Sequence, residues 1–428
     1  MACVMAAIGR KCWRAAIVLL ACATCAAAGV AIFLALAFLT ASVWLLLTLS
    51  LLAFAVAGIA LAWVLARRWR TSIRNLSIAI IGLPAVITVL YAGVVELTLP
   101  PLRTPPPNVS FWHLPDGYQV AYRYIPGASR ASEPIIFVHG GPGVSDLEGD
   151  SQYFGQLARL GHGVYVYDQV GAGFSSRLHN PVGYTVARDV QDLAEIRRII
   201  GAPRVILIGH SYGAAVATYY AARYPGHVSK LILSSPGPLP TGLSQGGFFL
   251  QRNTTVGDTL NLFAHILEPR ALLTYSLLQI SPQAAHNFSG DATMDRRFDA
   301  IYPSVAGALH CPGKNTSGKA LTDLGFYANQ TPQSARSTAG KPPASPASVR
   351  SPVLVIKGRC DYLSWESAIA YKRALTGTSV TLVYLPEAGH NAYQDQPTAY
   401  LSAVSNFIEG KPVPHTYRAS TKPKGYGD

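Results

Sequence analysis

Residues 206–215 of this chain, ILIGHSYGAA, place Ser211 between two glycines directly after an apolar run. The stretch 209–213 has the pattern G-x-S-x-G, which is typical of a sharp turn between a strand and a helix. Such a turn exposes the serine hydroxyl above the sheet, with the N-terminus of the next helix behind it. The pattern predicts that Ser211 is a nucleophile, whereas a serine beside glycine without this context is common in ordinary loops.

A serine hydroxyl is a weak nucleophile until a base takes its proton, and the base is itself oriented by an acid. VLVIKGRCDYL places Asp361 just after one apolar run, and VTLVYLPEAGH places His390 just after the next. In an open α/β sheet the carboxyl ends of parallel strands meet at one edge, and the chain order serine, acid, histidine suits that geometry. We therefore predict Asp361 as the acid and His390 as the base. One such residue alone would be interpreted as a cap or a surface-loop residue.

Acyl transfer also needs backbone N–H donors for the charge that develops on the carbonyl oxygen. One predicted donor of this oxyanion hole is the N–H of Tyr212, immediately after the serine. The sequence HGGPG, residues 139–143, follows the apolar run PIIFV and lets a substrate approach the backbone closely. We assign the second donor to Gly141, with Gly140 as the alternative. No CxxC pair suggests a metal, since Cys22 and Cys25 belong to the apolar N-terminal segment, and we predict neither a metal nor a cofactor.

The elements that position these groups follow from the alternation of short apolar runs with helical patterns. The runs PIIFVHG, GVYVYDQVG, RVILIGHS, KLILSSP, PVLVIKGRC and VTLVYLPEAGH suit strands buried on both faces of a parallel sheet. YQVAYRYI alternates apolar and polar residues like a half-buried hairpin strand. From 238 to 350 the strand pattern stops, and helix-like stretches predict a lid. The predicted parts of the α/β fold are a core at 109–237 and 351–410, a helical lid at 238–350, and a disordered basic tail at 411–428.

Together, HGGPG, DQVGAGFSS, GHSYGA, GRCD and GH resemble the α/β-hydrolase superfamily, and the first two are most similar to its proline iminopeptidase branch. The resemblance covers about 133–236 and 351–410. It implies an α/β-hydrolase fold with an eight-stranded, mostly parallel sheet, a helical lid and a metal-free serine mechanism. The nucleophile, acid and base then lie at the positions assigned above. Asp168, in DQVGAGFSS, is expected to support the loop beside the site.

Departures from that branch concern the substrate. Val170 stands where the branch usually has Arg, while His210 and Tyr212 flank the serine where it often has Gly and Trp. The branch's lid holds the free amino end of a substrate with carboxylates. The six acids of this lid, against nine basic residues, match no such motif. A small-molecule, peptide or ester substrate is expected, and three interpretations stay open: an iminopeptidase-like aminopeptidase, an esterase or lipase-like enzyme on small or lipid-like esters, and a catalytically inactive binding module.

The first hundred residues differ in kind from the rest. Residues 15–66 carry no charge. This uncharged run is far longer than the ~20 residues needed to cross a bilayer, and it predicts two spans. Leu76–Leu99 is a third candidate, so that 1–99 forms a transmembrane segment of about three helices. A proline-rich spacer follows at 100–108. A cleaved signal peptide is the alternative, but the apolar run continues far beyond the length of its core.

Basic residues predict the orientation of these spans, since Lys and Arg concentrate on the cytoplasmic side. They precede the first span and follow the second, so three spans leave the rest of the chain on the extracytoplasmic side of the plasma (inner) membrane. The basic residues are Arg10, Lys11 and Arg14 before the first span, and Arg67, Arg68, Arg70 and Arg74 after the second.

Net charge and cysteines limit the partners. The net charge is +13, but no single basic run interleaves with aromatic residues, so nucleic acid is not an expected partner. Beyond the apolar segment the chain has two cysteines, Cys311 and Cys360. In an exported domain they could form a disulfide, and two buried thiols are the alternative. The oligomeric state does not follow from these patterns.

Overall fold

The computed structural model describes residues 2–82, 84–85, 104–128, 132–239, 254–314, 321–333, 342–419 and 421–427. The chain divides into two compact units. The N-terminal unit contains Met1–Pro100 and Leu272–Gly290, and the sheet unit contains Pro101–Ala271 and Asp291–Asp428.

Two long helices dominate the N-terminal unit: α1 (Ala2–Leu36) and α2 (Val43–Trp69), followed by the short α3 (Ile73–Ser77). Lys11–Leu36 within α1 and the whole of α2 are long and apolar enough to cross a membrane, with mean hydropathies of 2.6 and 2.5. The predicted third span, Leu76–Leu99, lies mostly outside the described residues.

The same unit includes residues Leu272–Gly290, which come from the predicted lid. Phe288 packs edge to face on Phe33 of α1, with ring centroids 5.4 Å apart. The Asn287 side chain donates a hydrogen bond of 2.9 Å to the carbonyl oxygen of Ala41, in the turn between α1 and α2. This part of the insertion therefore packs on the turn between the two long helices.

The sheet unit is built on eight strands: β1 (Ser110–His113), β2 (Gln119–Ile125), β3 (Ile135–Val138), β4 (Val164–Tyr167), β5 (Val205–His210), β6 (Val228–Ser234), β7 (Val353–Gly358) and β8 (Val380–Leu385). Their order is β1-β2-β4-β3-β5-β6-β7-β8. The β1–β2 and β2–β4 pairs are antiparallel, and the other neighbouring strands are parallel. The predicted eight-stranded, mostly parallel sheet is confirmed.

Burial explains why the central strands are continuous apolar runs. Every residue of β3, β5 and β7 is buried, as expected of strands covered on both faces. The helices after α3 are α4 (Leu147–Phe154), α5 (Val186–Ile200), α6 (Tyr212–Arg223), α7 (Val256–Ile266), α8 (Pro269–Leu278), α9 (Pro282–Phe288), α10 (Asp291–Ile301), α11 (Pro303–Ala306), α12 (Phe326–Gln330), α13 (Trp365–Ala374), α14 (Ala392–Asp395) and α15 (Pro397–Glu409).

The insertion between β6 and β7 is helical. The described parts of 238–350 contain α7 to α12 and short 3₁₀ turns, and no strand. Within the sheet unit, Arg297 of α10 pairs with Glu268 at 2.5 Å, and both side chains are buried. Asn261 of α7 donates to the Ser304 hydroxyl of α11 at 2.8 Å. Buried polar pairs of this kind hold the lid helices to each other.

Described residues of the C-terminal tail, for which the sequence predicted disorder over 411–428, pack against the sheet unit. The Tyr417 N–H donates to the Leu382 carbonyl oxygen of β8 at 2.7 Å. Tyr426 is buried, and its hydroxyl donates to the Leu363 carbonyl oxygen at 2.6 Å. The tail follows the edge strand β8, where it meets backbone groups and buries its aromatic rings. The prediction rested on the basic composition of the tail, which gives no indication that its aromatic rings make contacts.

Candidate active site

Ser211 lies between β5 and α6 with a φ of 52° and a ψ of −115°. A positive φ is strained for a residue with a side chain, and small neighbours are needed to accommodate it. A Cβ at Gly209 would lie 2.4 Å from the Gly213 carbonyl oxygen, and a Cβ at Gly213 would lie 2.1 Å from that of Val138. Neither position has room for a side chain. The sharp strand-to-helix turn expected from G-x-S-x-G is present.

Asp361 follows β7 and is 1% exposed. Its Oδ1 accepts the Leu363 N–H at 2.9 Å and lies 2.8 Å from Nδ1 of His390. Its Oδ2 accepts a hydrogen bond of 2.6 Å from the Lys357 ammonium. Burial acts to raise the pKa of Asp361, but the nearby Lys357 and His390 outweigh it, and the net shift is downward. Asp361 is therefore held as a carboxylate.

His390 follows β8 and is 3% exposed. Because Nδ1 faces a carboxylate, it carries the ring proton of the neutral imidazole, which leaves the lone pair of Nε2 to accept another proton. Backbone contacts fix the turn on both sides. The Gly389 N–H donates to Asp395 Oδ2 at 2.7 Å, and the Asn391 N–H donates to the Leu309 carbonyl oxygen at 2.9 Å.

Two aromatic residues link the surroundings of His390 to Ser211. The Tyr362 ring lies 4.6 Å from the His390 ring, centroid to centroid, and its hydroxyl lies near the Ser211 side chain. The His210 ring, directly before the serine, lies 5.0 Å from the His390 ring. Burial raises the pKa of Tyr362, so that its hydroxyl keeps its proton. Tyr362 was missed by the sequence analysis, since nothing in GRCDYL distinguishes it from a packing residue.

The glycine loop lies against Ser211. A Cβ at Gly140 would lie 2.9 Å from the Ser211 Cβ, and Gly141 has a φ of 111°. Both positions therefore need glycine, the first for close approach and the second for its backbone conformation. Tyr212 is the first residue of α6, so its N–H has no partner within the helix. Among the described residues, neither Gly141 nor Tyr212 donates its N–H to a protein acceptor.

Asp168 connects two loops near the site. It is completely buried and accepts hydrogen bonds from the Ser145 hydroxyl and, at 2.9 Å, from the Phe174 N–H. Burial raises its pKa to about 6, although these hydrogen bonds oppose the shift. Ser145 lies two residues after HGGPG, so the carboxyl supports this loop together with the loop at 168–176. Its contacts fit the supporting role that the family resemblance implied.

Residues 133–397 match the family described as "alpha/beta hydrolase fold". This stretch is more than half of the chain. The chain belongs to the α/β-hydrolase fold family.

Similar proteins include several proline iminopeptidases. One from Saccharolobus solfataricus is 36% identical over 122 residues, which is 28% of this chain and 36% of that protein. One from Clostridioides difficile is 30% identical over 120 residues, covering 28% of this chain and 40% of that protein. One from Heyndrickxia coagulans is 37% identical over 105 residues, covering 24% and 35%. The matched stretch spans two fifths or less of these relatives.

Solved structures cover more of the chain at lower identity. A proline iminopeptidase from Mycobacterium smegmatis is 19% identical and has a TM-score of 0.45, covering 71% of this chain and 98% of that one. An esterase from Exiguobacterium antarcticum is 18% identical and has a TM-score of 0.43, covering 70% and 99%.

In this α/β-hydrolase the insertion is tied to the loops that carry Asp361 and His390. Cys311, from the insertion, forms a disulfide with Cys360, directly before Asp361. Asp395 lies five residues after His390 and accepts the Cys311 N–H at 2.9 Å while facing the His310 ring at 2.7 Å. The sequence had left the disulfide and two free thiols as alternatives, and the structure has the disulfide. Among the described residues, no cluster of three or more His, Cys, Asp or Glu side chains could hold a metal ion.

Proposed function

We propose that the protein is a serine hydrolase that cleaves an ester or amide bond through Ser211, His390 and Asp361. The observation that carries the proposal is the convergence at one sheet edge of a strained serine turn and a buried carboxylate–imidazole pair. The family match supports it independently.

The reaction begins when Ser211 Oγ attacks the carbonyl carbon and His390 Nε2 takes its proton. Asp361 holds the ring through Nδ1 and stabilises the imidazolium that forms. The N–H groups of Tyr212 and Gly141 bind the oxyanion, with Gly140 as the alternative second donor. The imidazolium then protonates the leaving amine or alcohol, which departs from the acyl-enzyme. Water, deprotonated by His390, hydrolyses this ester, and the released proton returns to Ser211.

A fluorophosphonate probe tests the nucleophile, because it reacts covalently with activated serines. Labelling of the full-length protein is expected, and Ser211→Ala is expected to abolish it. His390→Ala should keep the fold and lower kcat/KM for hydrolysis by about a thousandfold or more, since proton transfer is lost. Most of the activity surviving in His390→Ala would mean that another residue is the base. A wild-type protein that stays unlabelled would favour the inactive binding module.

For the substrate, a proline iminopeptidase-like aminopeptidase is the first candidate. HGGPG and the similarity of up to 37% to proline iminopeptidases favour it. One observation favours an esterase on lipid-like esters: α7 of the lid carries exposed apolar residues on one face. Val256, Leu260 and Phe263 of α7 are exposed by 77%, 66% and 51%, and Leu267, directly after the helix, is exposed by 60%. Their spacing is that of a single helical stripe. An apolar lid face of this kind suits an acyl chain.

A comparison of proline-β-naphthylamide with p-nitrophenyl esters of increasing chain length separates these candidates. If the esterase candidate is right, the double variant Leu260→Ser, Phe263→Ser should lower kcat/KM for long-chain esters by about tenfold, because apolar contact is lost. The short-chain esters are the internal control and should be cleaved at the wild-type rate. Preference for the proline substrate, unchanged in the double variant, would select the aminopeptidase.

We also propose that the N-terminal helices anchor the enzyme in the membrane, with the hydrolase domain outside the cytoplasm. The basic clusters flank the ends of α1 and α2 opposite to their connecting turn. The Cys311–Cys360 disulfide favours the same compartment, because such bonds persist in oxidising surroundings.

A further inference from the structure

Lys357 lies beside Asp361 and is completely buried, which is rare for lysine. It is the penultimate residue of β7, four positions before Asp361. Its Nζ lies 2.6 Å from Asp361 Oδ2 and 3.0 Å from the Ser367 hydroxyl of α13. Ser367 is also buried. Water does not reach this ammonium group, so its charge is balanced by the carboxylate.

The two oxygens of the Asp361 carboxylate thus have different partners. Oδ1 faces His390, and Oδ2 faces Lys357. When His390 takes a proton, its positive charge is attracted by Asp361 and repelled by Lys357 across the same carboxylate. Charges interact strongly in a buried site because little water screens them. The lysine therefore weakens the hold of Asp361 on a proton at His390.

We propose that Lys357 is a positioning residue of this α/β-hydrolase, which orients Asp361 toward His390 and offsets its charge so that His390 remains an unprotonated base at lower pH. The inference rests on the serine hydrolase proposed above. Without the ammonium, the buried carboxylate and imidazole would together bind a proton more tightly, and the base would be occupied at a pH where the wild-type enzyme still works.

Other groups around His390 do not supply this charge. Burial, together with the nearby His390, lowers the pKa of His210 at the end of β5 to about 3, so that its ring is neutral. Tyr362, after β7, keeps its proton because burial raises its pKa. Asp395 of α14 faces the His310 ring and accepts backbone N–H groups. These groups are unaltered by a substitution at Lys357.

The test is the pH dependence of fluorophosphonate labelling at Ser211 in full-length Lys357→Met and Lys357→Gln. Both variants remove the charge, and the second retains a hydrogen-bond donor for Asp361. In both variants the acid limb of the profile, where the labelling rate falls with decreasing pH, is expected to lie about one pH unit higher than in the wild-type protein. At pH values below this fall, the variants should be labelled roughly tenfold more slowly than the wild type. Ser367→Ala is the matched control, since it removes a partner of the lysine and keeps both charges. Its limb should not move.

An unmoved limb in a folded charge-removing variant would overturn the role of Lys357. Failure of both lysine variants to fold, with Ser367→Ala folded, would overturn it as well and would assign the lysine to stability alone. A wild-type protein that the probe does not label would remove the serine hydrolase proposal and this inference with it. If the wild-type protein is labelled and the acid limb does not move in the lysine variants, the role of Lys357 is overturned and the serine hydrolase proposal stands.

Discussion

At Gly213 the packing leaves no room for a single additional carbon atom. The position follows Ser211 by two residues, and a Cβ there would overlap the backbone of Val138 in β3. Backbone atoms cannot rotate away as the end of a side chain can. The strained φ of Ser211 is thus maintained by close contact between α6 and the sheet, which is how the surroundings over-determine an unfavourable conformation.

Gly213→Ala is therefore expected to destabilise the protein by about 3 kcal/mol, because the overlap forces β3 and α6 apart. Chemical denaturation followed by circular dichroism measures the change. Gly226→Ala is the control, since a Cβ at this exposed position meets nothing within 4 Å. Equal stabilities of the two variants would show that the turn is looser than the structure indicates.

Among the elements, the segment 309–311 of the insertion has the closest relation to the site. It binds the loop of His390 through Leu309, the helix α14 through Asp395, and the loop of Asp361 through the disulfide. A Cβ at Gly389, next to His390, would lie 2.7 Å from the backbone of His310. Loops that carry catalytic groups are mobile unless other elements hold them. The segment 309–311 holds the loops of Asp361 and His390 in this way.

Removal of the disulfide is expected to lower the free energy of unfolding by about 4 kcal/mol, as a model of chain entropy gives for a separation of 49 residues. The variant Cys311→Ser, Cys360→Ser is compared with the wild-type protein by thermal unfolding with and without a thiol reductant. Cys12→Ser is the control because Cys12 is a free, exposed cysteine. If the reductant destabilised the double variant as much as the wild-type protein, the assignment of a disulfide between Cys311 and Cys360 would be contradicted.

For the whole molecule, the proposed membrane anchoring raises the question of the side on which the sheet unit lies. Two helices have the length and hydropathy of spans. Two spans alone would return the chain to the side of its N-terminus, so the proposed location requires a third crossing at Leu76–Leu99. That segment lies mostly outside the described residues, and the topology has to be measured.

A reporter enzyme that is active only outside the cytoplasm provides the measurement. Fused after residue 108, it is expected to be active, because three spans with the basic clusters in the cytoplasm leave this position outside. Fused after residue 70, between the second and third proposed spans, it should be inactive. A well-expressed but inactive fusion after residue 108 would place the hydrolase domain in the cytoplasm.

The features predicted best from the sequence are those that depend on neighbours along the chain. The turn at Ser211 could be recognised because two glycines, a strand pattern and a helix pattern adjoin it. Asp361 and His390 could be selected because each follows an apolar strand, and the ends of parallel strands share one edge. The eight-stranded sheet followed from the same alternation of strand and helix patterns.

Only the tertiary structure decided which distant side chains meet. The contact of Tyr362 with Ser211, the pairing of Cys311 with Cys360 and the docking of the C-terminal tail on β8 join segments that are far apart in the chain. Lys357 shows the limit most clearly: in the run VLVIKG it interrupts an apolar strand, and its role depends on a carboxylate and a hydroxyl brought to it by folding. Local patterns record backbone preference and burial, whereas the charge balance at a buried site exists only once the chain has packed.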